Sequence, residues 1–167
     1  MSMLLAPVAV DAYGIGTAWS PVVKNAVPAR LLIPSLGINA VVQGVGVNEK
    51  GEMAVPSGAT SAVGWYKYGT APGEIGSAVI DAHVFAAFSS LKNIKPGADV
   101  YVITADTKVL HFVVAQKKTY PIASLSSRQL FRKTASSDLN LITCAGSLTQ
   151  DGSTYDHRLI VYTTLVG

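Results

Sequence analysis

A single cysteine, Cys144, closes the run Leu139-Asn140-Leu141-Ile142-Thr143. An apolar, β-branched run of this kind reads as a buried strand. The chain has 167 residues and no second cysteine, so the thiol cannot close an internal disulfide. It is either a small buried hydrophobe or a reactive nucleophile. Two other strand-terminal residues favour the nucleophile. His83 ends the run Ser77-Ala78-Val79-Ile80-Asp81-Ala82-His83, and Arg158 opens Arg158-Leu159-Ile160-Val161-Tyr162-Thr163-Thr164-Leu165. Together the three types suit acyl transfer. A free thiol has a pKa of about 8.5, and a neighbouring imidazolium or guanidinium favours the thiolate. Thiolate attack on an amide makes an oxyanion, to which the planar fork of an arginine can donate hydrogen bonds. The departing amine needs a proton, which a histidine can supply as general acid. What remains is a thioester acyl-enzyme.

Taken singly, each residue has a plainer reading. Cys144 fits a buried structural thiol, His83 a hydrogen-bonded surface residue, and Arg158 an ion-pair partner of Asp151 or Asp156. His157 adjoins Arg158, but in an extended chain it points to the opposite face. His111 lies mid-strand and reads as structural. Trp65, Tyr66 and Tyr68 read as core or rim packing.

The elements that must position these residues are mostly strands, at about 30–33, 38–43, 77–83, 99–104, 108–118, 139–144 and 158–165. In the longest, Val109, His111 and Val113 share one face, and Leu110, Phe112 and Val114 the other. Turn signals separate the runs at Asn48-Glu49-Lys50-Gly51, Ala71-Pro72-Gly73, Lys95-Pro96-Gly97 and Asp151-Gly152. Short helices are predicted over 85–91 and over 124–133, the latter with Ser124 as N-cap. Many strands and few helices indicate a closed barrel or sandwich. If the last two strands form a hairpin, the connection 145–157 brings Cys144 and Arg158 to one end of the sheet, with Gly146 and Gly152 letting the loop turn. Loops longer than about 12 residues are often functional. His83 reaches the same rim if its strand runs parallel to the cysteine strand, a step these patterns leave open.

The set resembles the sortases, the cysteine transpeptidases of bacterial cell surfaces. Asn140-Leu141-Ile142-Thr143-Cys144 stands where the family has Thr-Leu-x-Thr-Cys, and Ala82-His83 where it usually has Gly-His. Arg158 opens the final strand, as the family's arginine does. Leu32-Ile33-Pro34-Ser35-Leu36-Gly37-Ile38-Asn39-Ala40 is similar to the family's first strand and turn. Val63-Gly64-Trp65-Tyr66 and Pro72-Gly73-Glu74-Ile75-Gly76-Ser77-Ala78 are similar to its approach to the histidine. The resemblance covers roughly residues 30–166. It implies an all-β fold, a closed sortase-type barrel of about eight strands with one or two short helices. It also implies catalytic His83, Cys144 and Arg158, and cleavage of a signal like Leu-Pro-x-Thr-Gly between Thr and Gly. The Thr carbonyl would then be joined to an amine of a peptidoglycan precursor, a pilin or another surface protein. Residues 119–138 correspond to the family's substrate loop, so Ile122 and Leu125, with Thr143, are expected to bind substrate. The short single domain is closer to a housekeeping or class E or F type than to a pilin polymerase, and no Asp-Pro-aromatic lid motif stands upstream. The alternatives are a degenerate β-barrel binding module, or another cysteine acyltransferase such as an L,D-transpeptidase. The latter would show Ser-His-Gly-Cys, unlike Ile142-Thr143-Cys144-Ala145.

Composition agrees with one secreted domain. About half the residues are hydrophobic (49%), only 14% are charged, and the net charge is +3, enough chain for one sizeable core. Lys117, Lys118, Arg128, Arg132 and Lys133 form no stripe with interleaved aromatics, so nucleic acid is not an expected partner. The best membrane candidate, Met3 to Val10, is stopped by Asp11, and a spanning helix needs about 20 residues. It lacks a basic leader and a cleavage site. Any membrane attachment is expected through an anchor that this sequence does not contain, with the domain at the extracellular face. Residues 1–29 are expected to be an extension after such an anchor, and 30–167 the catalytic domain. Glu49, Glu52, Glu74 and Asp106 are dispersed and the histidines lack zinc-site spacing, so no metal or cofactor is expected.

Overall fold

The computed structural model describes residues 27–57 and 60–167. Most of the expected extension, residues 1–26, lies outside the described residues. Eight strands close into a barrel: β1 (Pro28–Ile33), β2 (Ile38–Val45), β3 (Val63–Tyr66), β4 (Gly76–Asp81), β5 (Asp99–Thr104), β6 (Val109–Pro121), β7 (Ser137–Leu148) and β8 (Tyr155–Leu165). Their order around the barrel is β1-β2-β3-β4-β7-β8-β6-β5. Two neighbouring pairs, β2–β3 and β4–β7, are parallel, and the rest are antiparallel. This is the all-β closed barrel of about eight strands that the family resemblance implies, where strand patterns alone leave a barrel or a sandwich.

The alternation of each strand decides what fills the interior. Leu31 and Ile33 of β1, Ile38, Ala40 and Val42 of β2, Val100 and Val102 of β5, and Phe112 and Val114 of β6 all point into one core cluster. Leu139 and Leu141 of β7 meet Leu159 and Val161 of β8 in the same cluster. The outward residues of β1 and β2 are mostly exposed, as in half-buried strands. In contrast, β4 and the first half of β7 are buried at nearly every position. A second apolar cluster on the outer face explains this. Val79, Ile142, Ile160 and Tyr162 pack there under Leu130, with Leu125 and Phe131 beside them. Strands covered on both faces read as continuous apolar runs, and these are the runs that end near His83 and Cys144.

The cover comes from the segment after β6, where the predicted helix over 124–133 is two shorter pieces. A 3-10 turn spans Ile122–Ser124, and α1 spans Ser127–Leu130. Ser126, not Ser124, is the N-cap: the Gln129 side chain accepts from the Ser126 backbone N–H at 2.7 Å, a capping box. The Ser124 hydroxyl instead donates back to the Pro121 carbonyl at 3.2 Å, the local competition that keeps serine out of helix interiors. Residues 85–90 form turns rather than a helix, followed by a 3-10 turn at Leu91–Asn93.

Three strand boundaries also differ from expectation. The strand expected at 77–83 ends at Asp81, so His83 stands just beyond it. Val63–Tyr66, not foreseen as a strand, is β3. Its Trp65 is buried and donates Nε1–H to the Thr70 carbonyl at 3.1 Å, whereas Tyr68 is 72% exposed. Most of the expected loop 145–157 is strand, because β7 runs on to Leu148 and β8 begins at Tyr155. A register shift between Ala145 and Leu148 accommodates the extra length. Gly146 sits in it at φ 81°, and a Cβ there would lie 2.1 Å from Oδ1 of Asp156. Only glycine fits both the angle and the space.

Candidate active site

The pairing of β4 with β7 settles the step left open in the sequence. The two run parallel, with Asp81 beside Ile142, so where β4 ends His83 comes to the same rim as Cys144, which stays paired within β7. On the other side of β7, Cys144 pairs directly with Arg158 of β8, as Ile142 does with Ile160. Paired residues point to the same face, and Ile142 and Ile160 belong to the outer cluster. Cys144 and Arg158 therefore face outward with them. His83, Cys144 and Arg158 line one cleft of about 800 Å3, whose walls include Leu125, Leu130 and Thr154. Cys144 is a free, half-buried thiol.

Each side chain is held by its neighbours. His83 stacks on Phe85, with ring centroids 4.7 Å apart and planes 18° apart. Its Nε2 lies 2.9 Å from the Pro56 carbonyl. A carbonyl only accepts, so Nε2 carries the hydrogen, and Nδ1 is the nitrogen left to exchange a proton. The Arg158 Nη1 donates to the carbonyls of Tyr155 and His157, both at 2.9 Å, and Nη2 donates to Thr154 Oγ1 at 3.1 Å. These three bonds orient the guanidinium and leave two of its five N–H groups for a ligand. Neither Asp151 nor Asp156 pairs with it, contrary to the plainer expectation. Asp151 accepts from Thr149 and Ser153. Asp156 accepts from the Ser147 amide and faces His157 Nδ1 at 2.7 Å. Hydrogen bonds from His157 and then Ser147 hold the Asp156 carboxyl below its usual range.

Of the expected substrate contacts, Leu125 and Thr143 line the cleft, whereas Ile122 is outside its lining. Thr143 is only 4% exposed, and its hydroxyl donates to the Ala82 carbonyl at 2.7 Å. That buried bond ties the end of β4 to β7. Ala82, where the family usually has glycine, packs into the core. Asn140, where the family has threonine, is buried, and its amide donates to the Leu130 carbonyl at 2.7 Å, fastening the end of α1 to β7.

Sequence reasoning missed two features. The segment 46–55 after β2 is a strap pinned by a Val47–Met53 bridge and by the Ala54 amide on the Gly46 carbonyl at 2.9 Å. Its Glu52, Met53 and Val55 join the cleft wall. The second is Asp81, buried in the cleft wall two residues before His83. Burial pushes its carboxyl up to about 8, opposed only in part by its own backbone amide. An acidic residue directly after the apolar run Ala78-Val79-Ile80 was the available signal.

A thiol, an imidazole and an oriented guanidinium around one cleft can carry out acyl transfer. The Sortase domain family matches residues 31–166 of this chain. The chain belongs to the sortase family. It is therefore an enzyme of the cysteine transpeptidase family. Among curated proteins, sequence comparison finds no significant match. Solved structures share the sortase fold. Sortase C from Clostridium perfringens SM101 matches at 21% identity and a TM-score of 0.64, over 84% of this chain and 70% of that one. Sortase A from Corynebacterium diphtheriae matches at 18% and 0.64, over 84% and 61%. SortaseC1 from Streptococcus suis matches at 20% and 0.64, over 86% and 75%.

Proposed function

We propose that this sortase cleaves a signal like Leu-Pro-x-Thr-Gly between Thr and Gly and joins the new Thr carbonyl to an amine. The observation that carries the reading is the Cys144–Arg158 register, with His83 arriving at the same rim from the parallel strand. The Cys144 thiolate attacks the Thr carbonyl, forming a carbon–sulfur bond and an oxyanion. The two N–H groups of Arg158 not tied to its own loop donate to that oxyanion. As it collapses, the carbon–nitrogen bond breaks and His83 gives its Nδ1 proton to the departing Gly amine. An incoming amine then attacks the thioester, His83 takes its proton, and the thiolate leaves.

The apolar residues of the signal lie against Leu125, with Leu130 and Ile142 beneath. Thr143 acts by fixing the stretch of β7 that carries Cys144 to the end of β4. The acceptor amine belongs to a peptidoglycan precursor, a pilin or another surface protein, and the domain works at the extracellular face of the cell membrane. A catalytically degenerate binding module is the alternative, and the complete trio around one cleft argues against it.

The test is mass spectrometry of the protein with a sorting-signal peptide. The expected result is a covalent adduct equal in mass to the acyl part, absent in Cys144→Ala. Peptide cleavage by purified Cys144→Ala would sink the mechanism.

A further inference from the structure

Asp81 lies in the cleft wall, yet the acyl transfer has no step for it. It precedes His83 by two residues, and both side chains line the same cleft. It is 5% exposed, and its Oδ1 has no hydrogen-bond partner among the described residues. The packing around that oxygen is close. Asp81 pairs with Gly64 of β3. A Cβ on Gly64 would stand 2.7 Å from Oδ1, 3.0 Å from a Val45 methyl and 3.1 Å from Pro56 Cδ. The carboxyl, a Val45 methyl and the Pro56 ring therefore converge on the space over Gly64, a niche that exists because residue 64 has no side chain. Pro56 is itself buried, and its carbonyl is the one that receives His83 Nε2–H.

We propose that Asp81 is a positioning residue for His83 acting through Pro56: an uncharged carboxyl lets Pro56 pack down with its carbonyl on Nε2, and a charged one does not.

A carboxylate buried without a partner is strongly disfavoured. Enclosure raises this carboxyl to about 8, so it is mostly uncharged at neutral pH. Ionisation must then bring water to Oδ1 or lift Pro56 away, and either breaks the packing that seats the carbonyl. The other ionisable groups lining the cleft with Asp81 are His83 just beyond β4, Cys144 of β7, Tyr155 and Arg158 of β8 and Glu52 of the strap, with Tyr66 further along β3. None bonds Oδ1. The inference rests on the proposed role of His83, but its test does not.

The experiment is NMR of 15N-histidine-labelled wild type and Asp81→Asn, with His83 assigned by substituting His111 and His157. Wild type should hold its hydrogen on Nε2 at pH 7 and lose that preference between pH 7 and 9.5, with a midpoint near 8. Asp81→Asn cannot ionise and should keep the Nε2–H form throughout. Over the same range, the ratio of Asp81→Asn to wild-type acylation rates should rise at least about threefold, since thiol ionisation is common to both. Identical His83 signals in the two proteins would overturn the proposal. Should Asp81→Asn not fold, Gly64→Ala replaces it. Its methyl would displace Oδ1, so Nε2 should already lose its hydrogen preference at pH 7, and a wild-type spectrum would overturn the idea. If neither protein acylates, the transpeptidase reading fails, while the spectra still decide the role of Asp81.

Discussion

Two histidines in this barrel have nearly the same immediate surroundings. His83 stacks on Phe85 at 4.7 Å and His111 stacks on Tyr101 at 4.6 Å, each with planes 18° apart. Each Nε2 faces an oxygen, the Pro56 carbonyl at 2.9 Å or the Asp99 carboxylate at 2.8 Å. The differences lie further out. His111 sits on β6 near Phe112, which pairs with the far end of β8 at Leu165, whereas the Arg158 end of β8 meets Tyr120. His83 stands in a cleft with a free thiol and a guanidinium. A stacked, hydrogen-bonded imidazole thus occurs twice on this barrel, and the parallel β4–β7 pairing is what brings one of the two into the cleft with the thiol and the guanidinium.

The largest expected effect separates the two directly. His83→Ala should lower transpeptidation by about a hundredfold to ten-thousandfold, the usual contribution of general acid–base catalysis. Cys144 in that variant should still react with a small alkylating agent, which needs no proton donor. His111→Ala should stay within about twofold of wild type, because it touches no reacting group. Equal losses in single-turnover acylation would erase the distinction. Next in size, Arg158→Ala should cost about 3 kcal/mol of transition-state stabilisation, roughly a hundredfold in rate. Arg158→Lys should recover little, lacking the planar fork. His157→Ala should be near neutral, since its ring pairs with Asp156.

The remaining predictions concern stability. Asp81 keeps its proton in the folded protein up to about pH 8, whereas in the unfolded chain it loses it near 4. The folded state therefore binds the extra proton across that window, and stability falls as pH rises through it. Relative to Asp81→Asn, wild type should lose up to about 1.4 kcal/mol per pH unit between pH 4 and 8, read from denaturant midpoints. A constant difference would mean that the carboxyl is not buried. Thr143→Val should cost about 1–3 kcal/mol by orphaning the Ala82 carbonyl, and should slow acylation by loosening the rim. Smallest is the His111 cluster, where Asp99→Asn should change stability by less than about 1 kcal/mol at an exposed site.

Alternation and apolar runs make most of the barrel legible in the amino-acid sequence, including the faces of β6, but Cys144 and Arg158, expected at strand ends, lie within β7 and β8, which run on to Leu148 and begin at Tyr155. What stays hidden is set by contacts distant in the chain. β3 has only four residues, one of them Gly64, and it is a strand because β2 and β4 flank it. The Gly- and Ser-rich stretch after Cys144 reads as loop from composition, yet each side finds a ladder partner in the other. The helix is displaced from its expected place because Ser124 and Ser126 are both plausible caps, and Gln129 chooses between them. The Pro56–His83 contact joins residues 27 apart in sequence and leaves no periodic trace.

The parallel β4–β7 pairing also bears on how the protein comes to be folded. Cys144 and Arg158 share an antiparallel hairpin, which can close locally. The Thr143 hydroxyl and the Ala82 carbonyl are 61 residues apart, with β5, β6 and α1 between them. Non-local pairing of this kind is slow, because loop entropy is lost before contacts compensate. Refolding should accordingly restore the cysteine–arginine pair before the histidine arrives. A chain caught at that stage would carry the thiol and the guanidinium without the imidazole, and on the proposed mechanism thiol reactivity would return ahead of acyl transfer in any slow refolding phase.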